Sequence, residues 1–259
     1  MKELVTNFHD TKKSVLVTIS DGLLETHILQ ELKSCNFQIK VLARNRKRAQ
    51  KITTNHSEII EAVVTLPDTM KGKLEGINTV ILTSGMSLNE KNVFNNIVDY
   101  QGNINLLQEA KSAGVEKFIF LTSIFSNLDV NPKTLKAYNE FITLLRKSGI
   151  AYTIIHVNKT VSCLSNNLDI ARKPRITFSN KKTWQEDKIH PKNLAISCIN
   201  AIQTNFSEIS IGKRKSTTRK KVLKISYKVP SKSLHSIVLP KYLNEFIRNV
   251  MSNFKTSRN

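Results

Sequence analysis

Cysteine is scarce in this 259-residue sequence: Cys35, Cys163 and Cys198 lie far apart, with no CxxC pair and no histidines at ligand spacing. That argues against a disulfide framework or a zinc site and points to the cytoplasm or another reducing compartment. Long apolar runs are also missing. No stretch reaches the roughly 18 consecutive apolar residues of a transmembrane helix. The opening MKELVTNFHDTKK lacks the apolar core, roughly 7–15 residues, expected of a secretory signal. No Walker loop, GxSxG elbow or paired-carboxylate arrangement is found, and the six histidines are scattered, so hydrolase and metalloenzyme chemistry finds no support.

Acidic residues are the third shortage. Lys and Arg number 40 against 20 Asp and Glu, a formal net charge of +20. The excess is uneven: residues 171–259 hold 20 basic residues but only Glu186, Asp187, Glu208 and Glu245, a net of +16. Such asymmetry fits an anionic partner for the C-terminal third, be it nucleic acid, an acidic protein surface or anionic lipid. It equally fits a solvated basic surface.

What is present is a chain with 40% hydrophobic residues, ample for a core, in which short apolar runs alternate with amphipathic stretches. This is the signature of βαβ units around a parallel sheet. Strands are expected at 14–20, 38–44, 59–65, 78–84, 116–123 and 151–157. Helices are expected at 22–34, 46–52, 93–114 and 135–149, the last two stopped by glycine. After residue 158 the rhythm weakens: 191–203 reads as helix, 208–212 as a short strand and 240–254 as a closing helix. Residues 213–233 are basic and without clear period.

VDYQGNINLLQEAKSAGVEKFIFLTS followed by LLRKSGIAYTIIHV resembles the atypical short-chain dehydrogenases, the NmrA-like and UDP-sugar-epimerase-related NAD(P)-binding proteins. KIHPKNLAISCINAIQ resembles that family's later helix start, so the likeness covers about residues 14–212. The resemblance implies an α/β fold, a doubly wound parallel (Rossmann) sheet over residues 14–157 with strand order 3-2-1-4-5-6. It also implies a small C-terminal lobe, here basic, over 158–259 with a terminal helix.

The family's GxxGxxG turn, which seats a dinucleotide diphosphate on helix amides, aligns with Ile19-Ser20-Asp21-Gly22-Leu23-Leu24-Glu25. Only Gly22 survives. Ile19 crowds the turn, Asp21 repels phosphate, and Glu25 stands where helix and sheet should pack closely. A cleft open beside Gly22 would favour dinucleotide binding; one filled by Ile19, Leu23 or Glu25 would favour a scaffold. The cofactor-binding positions expected are Thr18, Ser20, Gly22, Leu23, Arg44, Thr83 and Ser84. Arg44, ending the second strand, suits the 2′-phosphate of NADP rather than an NAD ribose. The family's adenine-side Asp falls on Val63.

Reductases of this kind use Ser, Tyr and a Lys four residues after the Tyr, the Lys lowering the Tyr pKa. Ser123 matches the serine. Counted one way, Tyr138 occupies the Lys position and Thr134 the Tyr position; counted the other, Tyr138 is the Tyr and Ile142 replaces the Lys. Ser123 and Tyr138 are therefore the catalytic candidates, in a site without Tyr-x-x-x-Lys and with oxidoreductase activity weak or lost. A packing role for Tyr138 is the competing reading.

Two function classes follow: a divergent NAD(P)-binding protein, NADP-preferring where it binds, or a non-catalytic scaffold or assembly subunit. For the second, Lys213, Arg214, Lys215, Arg219, Lys220 and Lys221 form an uncompensated basic run for a polyanion or acidic protein, through residues 213–233. Tyr227 alone offers little stacking, so single-strand or sequence-specific readout is not expected.

Overall fold

The short apolar runs become strands buried on both faces, with one packed layer on each side of a sheet. A computed structural model describes residues 13–19, 23–53, 57–85, 93–122, 132–157, 176–177, 191–215 and 221–228. In chain order these give β1 (Ser14–Thr18), α1 (Leu23–Ser34), β2 (Gln38–Ala43), α2 (Arg46–Gln50), β3 (Ser57–Glu61), a 3-10 turn (Pro67–Thr69) and β4 (Thr79–Gly85). They continue with α3 (Val93–Ser112), β5 (Lys117–Thr122), α4 (Pro132–Lys147), β6 (Ala151–Val157), β7 (Ile176–Thr177), α5 (Pro191–Gln203), β8 (Glu208–Lys215) and β9 (Lys221–Lys228).

The sheet order among these strands is β3-β2-β1-β4-β5-β6-β8-β9-β7. From β3 to β8 all seven strands run parallel, as the Rossmann reading expects, with the 3-2-1-4-5-6 order intact. Successive strand residues point to opposite faces. Val15, Val17, Val41, Ile81, Ile119, Leu121, Ile155 and Val157 bury one face with α1 and α5. Leu16, Leu42, Val80, Leu82, Phe118, Phe120 and Ile154 bury the other with α3 and α4. On α1, Leu24, Ile28, Leu29 and Leu32 form the expected stripe, and Leu194, Ala195 and Cys198 of α5 belong to the same cluster. Each fully buried Val, Leu, Ile or Phe among these contributes about 1.5–3 kcal/mol by leaving water.

The helix stops work as the sequence suggests. Gly114 takes φ +72° after α3, and the Val115 N–H reaches back to Ala110 O at 3.0 Å. α1 ends the same way on Asn36, at φ 60°. Asn78, before β4, accepts from the Ser14 N–H (2.8 Å) and donates its amide to Glu116 (3.1 Å), aligning the entries of β1, β4 and β5.

Two stretches differ from expectation. The third strand spans 57–61 rather than 59–65, because Val63 opens a turn in which the Thr69 hydroxyl accepts its N–H at 3.0 Å. The basic stretch after residue 212 is not structureless. β8 continues to Lys215, and β9 pairs with it antiparallel, Lys215 opposite Lys221 and Glu208 opposite Lys228. Its β-branched and aromatic residues fit a ladder once an edge is available, and the lysines among them hide the pattern. The closing helix expected at 240–254 lies outside the described residues.

Candidate dinucleotide site at the switch point

In a doubly wound sheet the ligand crevice lies beyond the strand ends where the winding reverses, here between β1 and β4. Two expected cofactor positions meet there. The Thr83 N–H donates to Thr18 Oγ1 (3.0 Å), and the Thr83 hydroxyl lies 2.9 Å from Thr18 O. Thr18 is buried and Thr83 wholly so. Ser84 follows in β4 and Leu23 opens α1. Ser20 and Gly22 lie outside the described residues.

Glu25 is the residue whose role the sequence conceals. Only 2% exposed, it stands in the first turn of α1, and its Oε1 accepts from Thr83 Oγ1 at 2.7 Å. An acid in a helix's first turn is favoured by the helix dipole. Standing where helix and sheet pack closely, the side chain ties α1 to β4. Beside it, Ile19 packs against the α1–α5 cluster, and its N–H bonds Leu42 O at 3.0 Å, extending the β1–β2 ladder. The legible signal was an acid in the first helical turn together with threonines near the ends of the first and fourth strands.

Arg44 is exposed just past the end of β2. Its neighbours are committed elsewhere: Asn45 caps α2 by accepting from the Arg48 N–H (3.1 Å), and the Arg46 guanidinium donates to Ile59 O at 3.0 Å. Val63, at the family's acidic position, is half-buried.

Tyr138 is 2% exposed, its ring edge-on to Tyr100 (centroids 5.9 Å, 77°) and tilted against Phe120 at 6.3 Å. Burial pushes its hydroxyl pKa well up; Arg146 lowers it in part and Glu208 adds to the rise. Ile142, one turn on, is buried apolar core. Thr134 is buried too, and among the described residues its hydroxyl has no hydrogen-bond partner. Lys136 is exposed, and Ser123 lies outside the described residues.

Other polar groups went unread in sequence. Asn105 on α3 donates to Val64 O at 2.9 Å. Lys117, 8% exposed at the start of the central strand β5, donates to Thr204 O beyond the end of α5. Burial, aided by Lys13, lowers its pKa to about 8. Arg146 on α4 pairs with Glu208 at 2.9 Å, and His156 Nε2 is 4.0 Å from the same carboxylate. Cys35 and Cys198 are free thiols, the latter pushed up by full burial. Of the basic run, Lys213, Arg214 and Lys215 end β8 and Lys221 begins β9; Arg219 and Lys220 lie outside the described residues. Among the described residues no group of three or more His, Cys, Asp or Glu is placed to hold a metal ion, and no helix is long and apolar enough to cross a membrane.

Comparison with known proteins agrees with this architecture. The chain is 21% identical to the Photosystem II assembly factor Ycf39 of Trieres chinensis, over 95% of this chain and 78% of that one. It is 28% identical to the factor of the same name from Cyanophora paradoxa, over 54% of this chain and 44% of the relative, so the match spans less than half of that protein. The Bordetella bronchiseptica enzyme WbmH, solved in complex with NAD+, shares the fold at TM-score 0.58 and 15% identity, covering 78% of this chain and 75% of that one. The NAD(P)H-binding family pattern matches residues 24–205, beginning within the altered glycine turn. With that match over most of its length and the strand order above, the chain belongs to the NAD(P)H-binding family, of the atypical short-chain dehydrogenase, NmrA-like type.

Proposed function

We propose that this chain is an assembly factor built on an NAD(P)-binding Rossmann domain, one that holds NADP(H) weakly and does not use it for tyrosine-dependent reduction. The observation that carries the reading is the placement of Tyr138. A proton-donating tyrosine needs access to substrate and a cation that lowers its pKa. Tyr138 instead lies among Tyr100 and Phe120, its pKa raised by burial, with Ile142 one turn on. Ser123 then serves as an oxygen-binding position at most.

The residues present fit a dinucleotide in part. Exposed Arg44 suits a 2′-phosphate and favours NADP over NAD, while Thr18 and Thr83 keep a polar seam at the switch point. Against this, Ile19, packed on the α1–α5 cluster, and Glu25, bound to Thr83, stand where the family's pattern has glycines.

The assembly role is supported by likeness to relatives named as photosystem II assembly factors, and by the basic C-terminal third. The β8–β9 hairpin gathers Lys213, Arg214, Lys215 and Lys221 at one end of the ladder, with Arg219 and Lys220 in the connecting sequence. This end is the proposed contact for a polyanion or acidic protein surface.

Titration with NADPH and NADH tests the cofactor half. Saturable binding that favours NADPH, without oxidation of it in the presence of carbonyl or quinone acceptors, is expected. Turnover abolished by Y138F would overturn the non-reducing reading. For the assembly half, the affinity-tagged chain should copurify photosystem II subunits from a photosynthetic host; their absence at low salt would remove it.

A further inference from the structure

We propose that the outer edge of β3 is a self-pairing surface held closed by two cations: Arg46 and Lys73 occupy the carbonyls through which β3 of a second copy of this chain would add to the sheet. This edge is the far margin of the sheet from the β8–β9 hairpin and is separate from the switch point between β1 and β4.

β3 (Ser57–Glu61) pairs with β2 on one side and with no described strand on the other. In a parallel ladder, alternate residues turn both N–H and C=O toward the neighbouring strand, and the residues between them turn both away. The Ala62 N–H donates to Ala43 O at 3.1 Å, and Ile59 is in register with Val41. Glu58, Ile60 and Ala62 therefore face β2, while Ser57, Ile59 and Glu61 present their backbone groups outward. Two of those outward carbonyls are taken. The Arg46 guanidinium donates to Ile59 O at 3.0 Å, and the Lys73 ammonium donates to Glu61 O at 2.7 Å. Arg46 opens α2, its own N–H 3.4 Å from Glu61 Oε1, and Lys73 lies in the turn after the 3-10 segment. Both side chains belong to exposed residues.

The strand's own sequence does not forbid self-pairing. Five residues is an ordinary strand length. Laid antiparallel on a second copy and centred on Ile59, the strand sets Ile59 against Ile59, Glu58 against Ile60 and Ser57 against Glu61. No carboxylate meets a carboxylate, the arrangement that would oppose pairing. Glu58 is already answered by Lys40 of β2, 3.4 Å away. Ile59 and Ile60 are only half-buried, so each keeps apolar surface for a partner to cover. Open edges of this kind pair with other chains unless something blunts them, and charged side chains on the edge are a common means. A cation seated on an outward carbonyl blunts the edge in two ways. It uses the acceptor, and its side chain fills the space that an incoming backbone needs.

The test compares the wild-type full chain with R46A/K73A and with R46A/K73A/I59P. The Ile59 N–H points outward, so the proline removes no bond to β2 while barring an added strand. Sedimentation velocity over a concentration series reads self-association, and far-UV circular dichroism with thermal midpoints confirms folding. R46A/K73A is expected to self-associate about tenfold more strongly than the wild type, the worth of one regained backbone hydrogen bond. I59P should return it to the wild-type level. Amide hydrogen exchange gives a second reading. In the wild type, Ile59 and Glu61 should exchange faster than Glu58, Ile60 and Ala62; in R46A/K73A they should slow as concentration rises. Unchanged association of the folded double variant overturns the proposal, as does a gain that persists with I59P, which would place the new contact elsewhere. Slow exchange of Ile59 and Glu61 in the wild type would mean that another segment or protein already covers the edge, and overturns it even where a variant fails to fold.

Discussion

A Cβ placed on Gly102 of α3 would stand 2.7 Å from Cγ2 of Val64, in the segment after β3. Helix and segment are thus in contact at a position with no room for a methyl group, and Asn105 fixes the same spot through Val64 O. In an open helix Gly→Ala gains roughly 1 kcal/mol. Here G102A should lose about 1–3 kcal/mol from overpacking, and V64A in the same chain should recover much of it. Urea denaturation of the two single variants and the double variant measures this coupling. A G102A protein more stable than wild type would contradict the contact.

Tyr138 predicts a separation between ring and hydroxyl. Y138A removes a buried ring packed on Tyr100 and Phe120 and should cost about 3–5 kcal/mol. Y138F keeps the ring and should cost no more than about 1.5 kcal/mol. Denaturation curves for the two variants, set beside NADPH consumption, decide whether the residue packs or reacts.

Lys117 predicts an alkaline gain in stability. Its pKa is lowered to about 8 in the folded chain against an ordinary 10.5, burial being the main cause. Between those values the unfolded chain holds more of that proton, so stability from this group rises as pH rises through the window. At lower pH both states are protonated and the full cost of burying the charge is felt. The gain is on the order of 3 kcal/mol. Urea midpoints for wild type and K117M at pH 7.5, 9 and 10.5, values chosen to bracket that roughly 2.5-unit interval, isolate it. Parallel pH profiles would refute it.

Arg44 should act on one cofactor only. R44S is expected to weaken NADPH binding by about tenfold, the loss of a charge-assisted contact, and to leave NADH unchanged. Equal losses for both would mean that the side chain does not read the 2′-phosphate.

The basic hairpin end should bind in a salt-dependent way. Six phosphate contacts give a log K against log salt slope near roughly −5 on duplex DNA, a convenient polyanion. Alanine at Lys213, Arg214, Lys215, Arg219, Lys220 and Lys221 should flatten it. Binding that survives the replacement would place the contact elsewhere.

The fold was legible because its signals are local and repeated: short apolar runs at β1 to β6, the Leu24–Ile28–Leu32 stripe, and the glycine stop at Gly114. The hairpin was not, since β9 becomes a strand only by pairing with β8, and its lysines obscure the alternation. At the switch point the sequence marks Thr18, Thr83 and Glu25, but not the bond that joins Glu25 to Thr83. Those two residues are 58 positions apart, and only the winding of the sheet brings the two together. Lys117 was unreadable for the same reason, its acceptor being 87 residues distant.

Strand β7 lies on the outer margin of the sheet, pairing Ile176 with Leu223 and Thr177 with Lys224 of β9. A ribosome delivers β7 some time before the only described strand it pairs with exists. The margin is therefore assembled late and in reverse, with β9 docking on β8 and then receiving a segment made earlier. A chain cut before residue 221 would lose not one strand but two, while the order from β3 to β8 could still be complete.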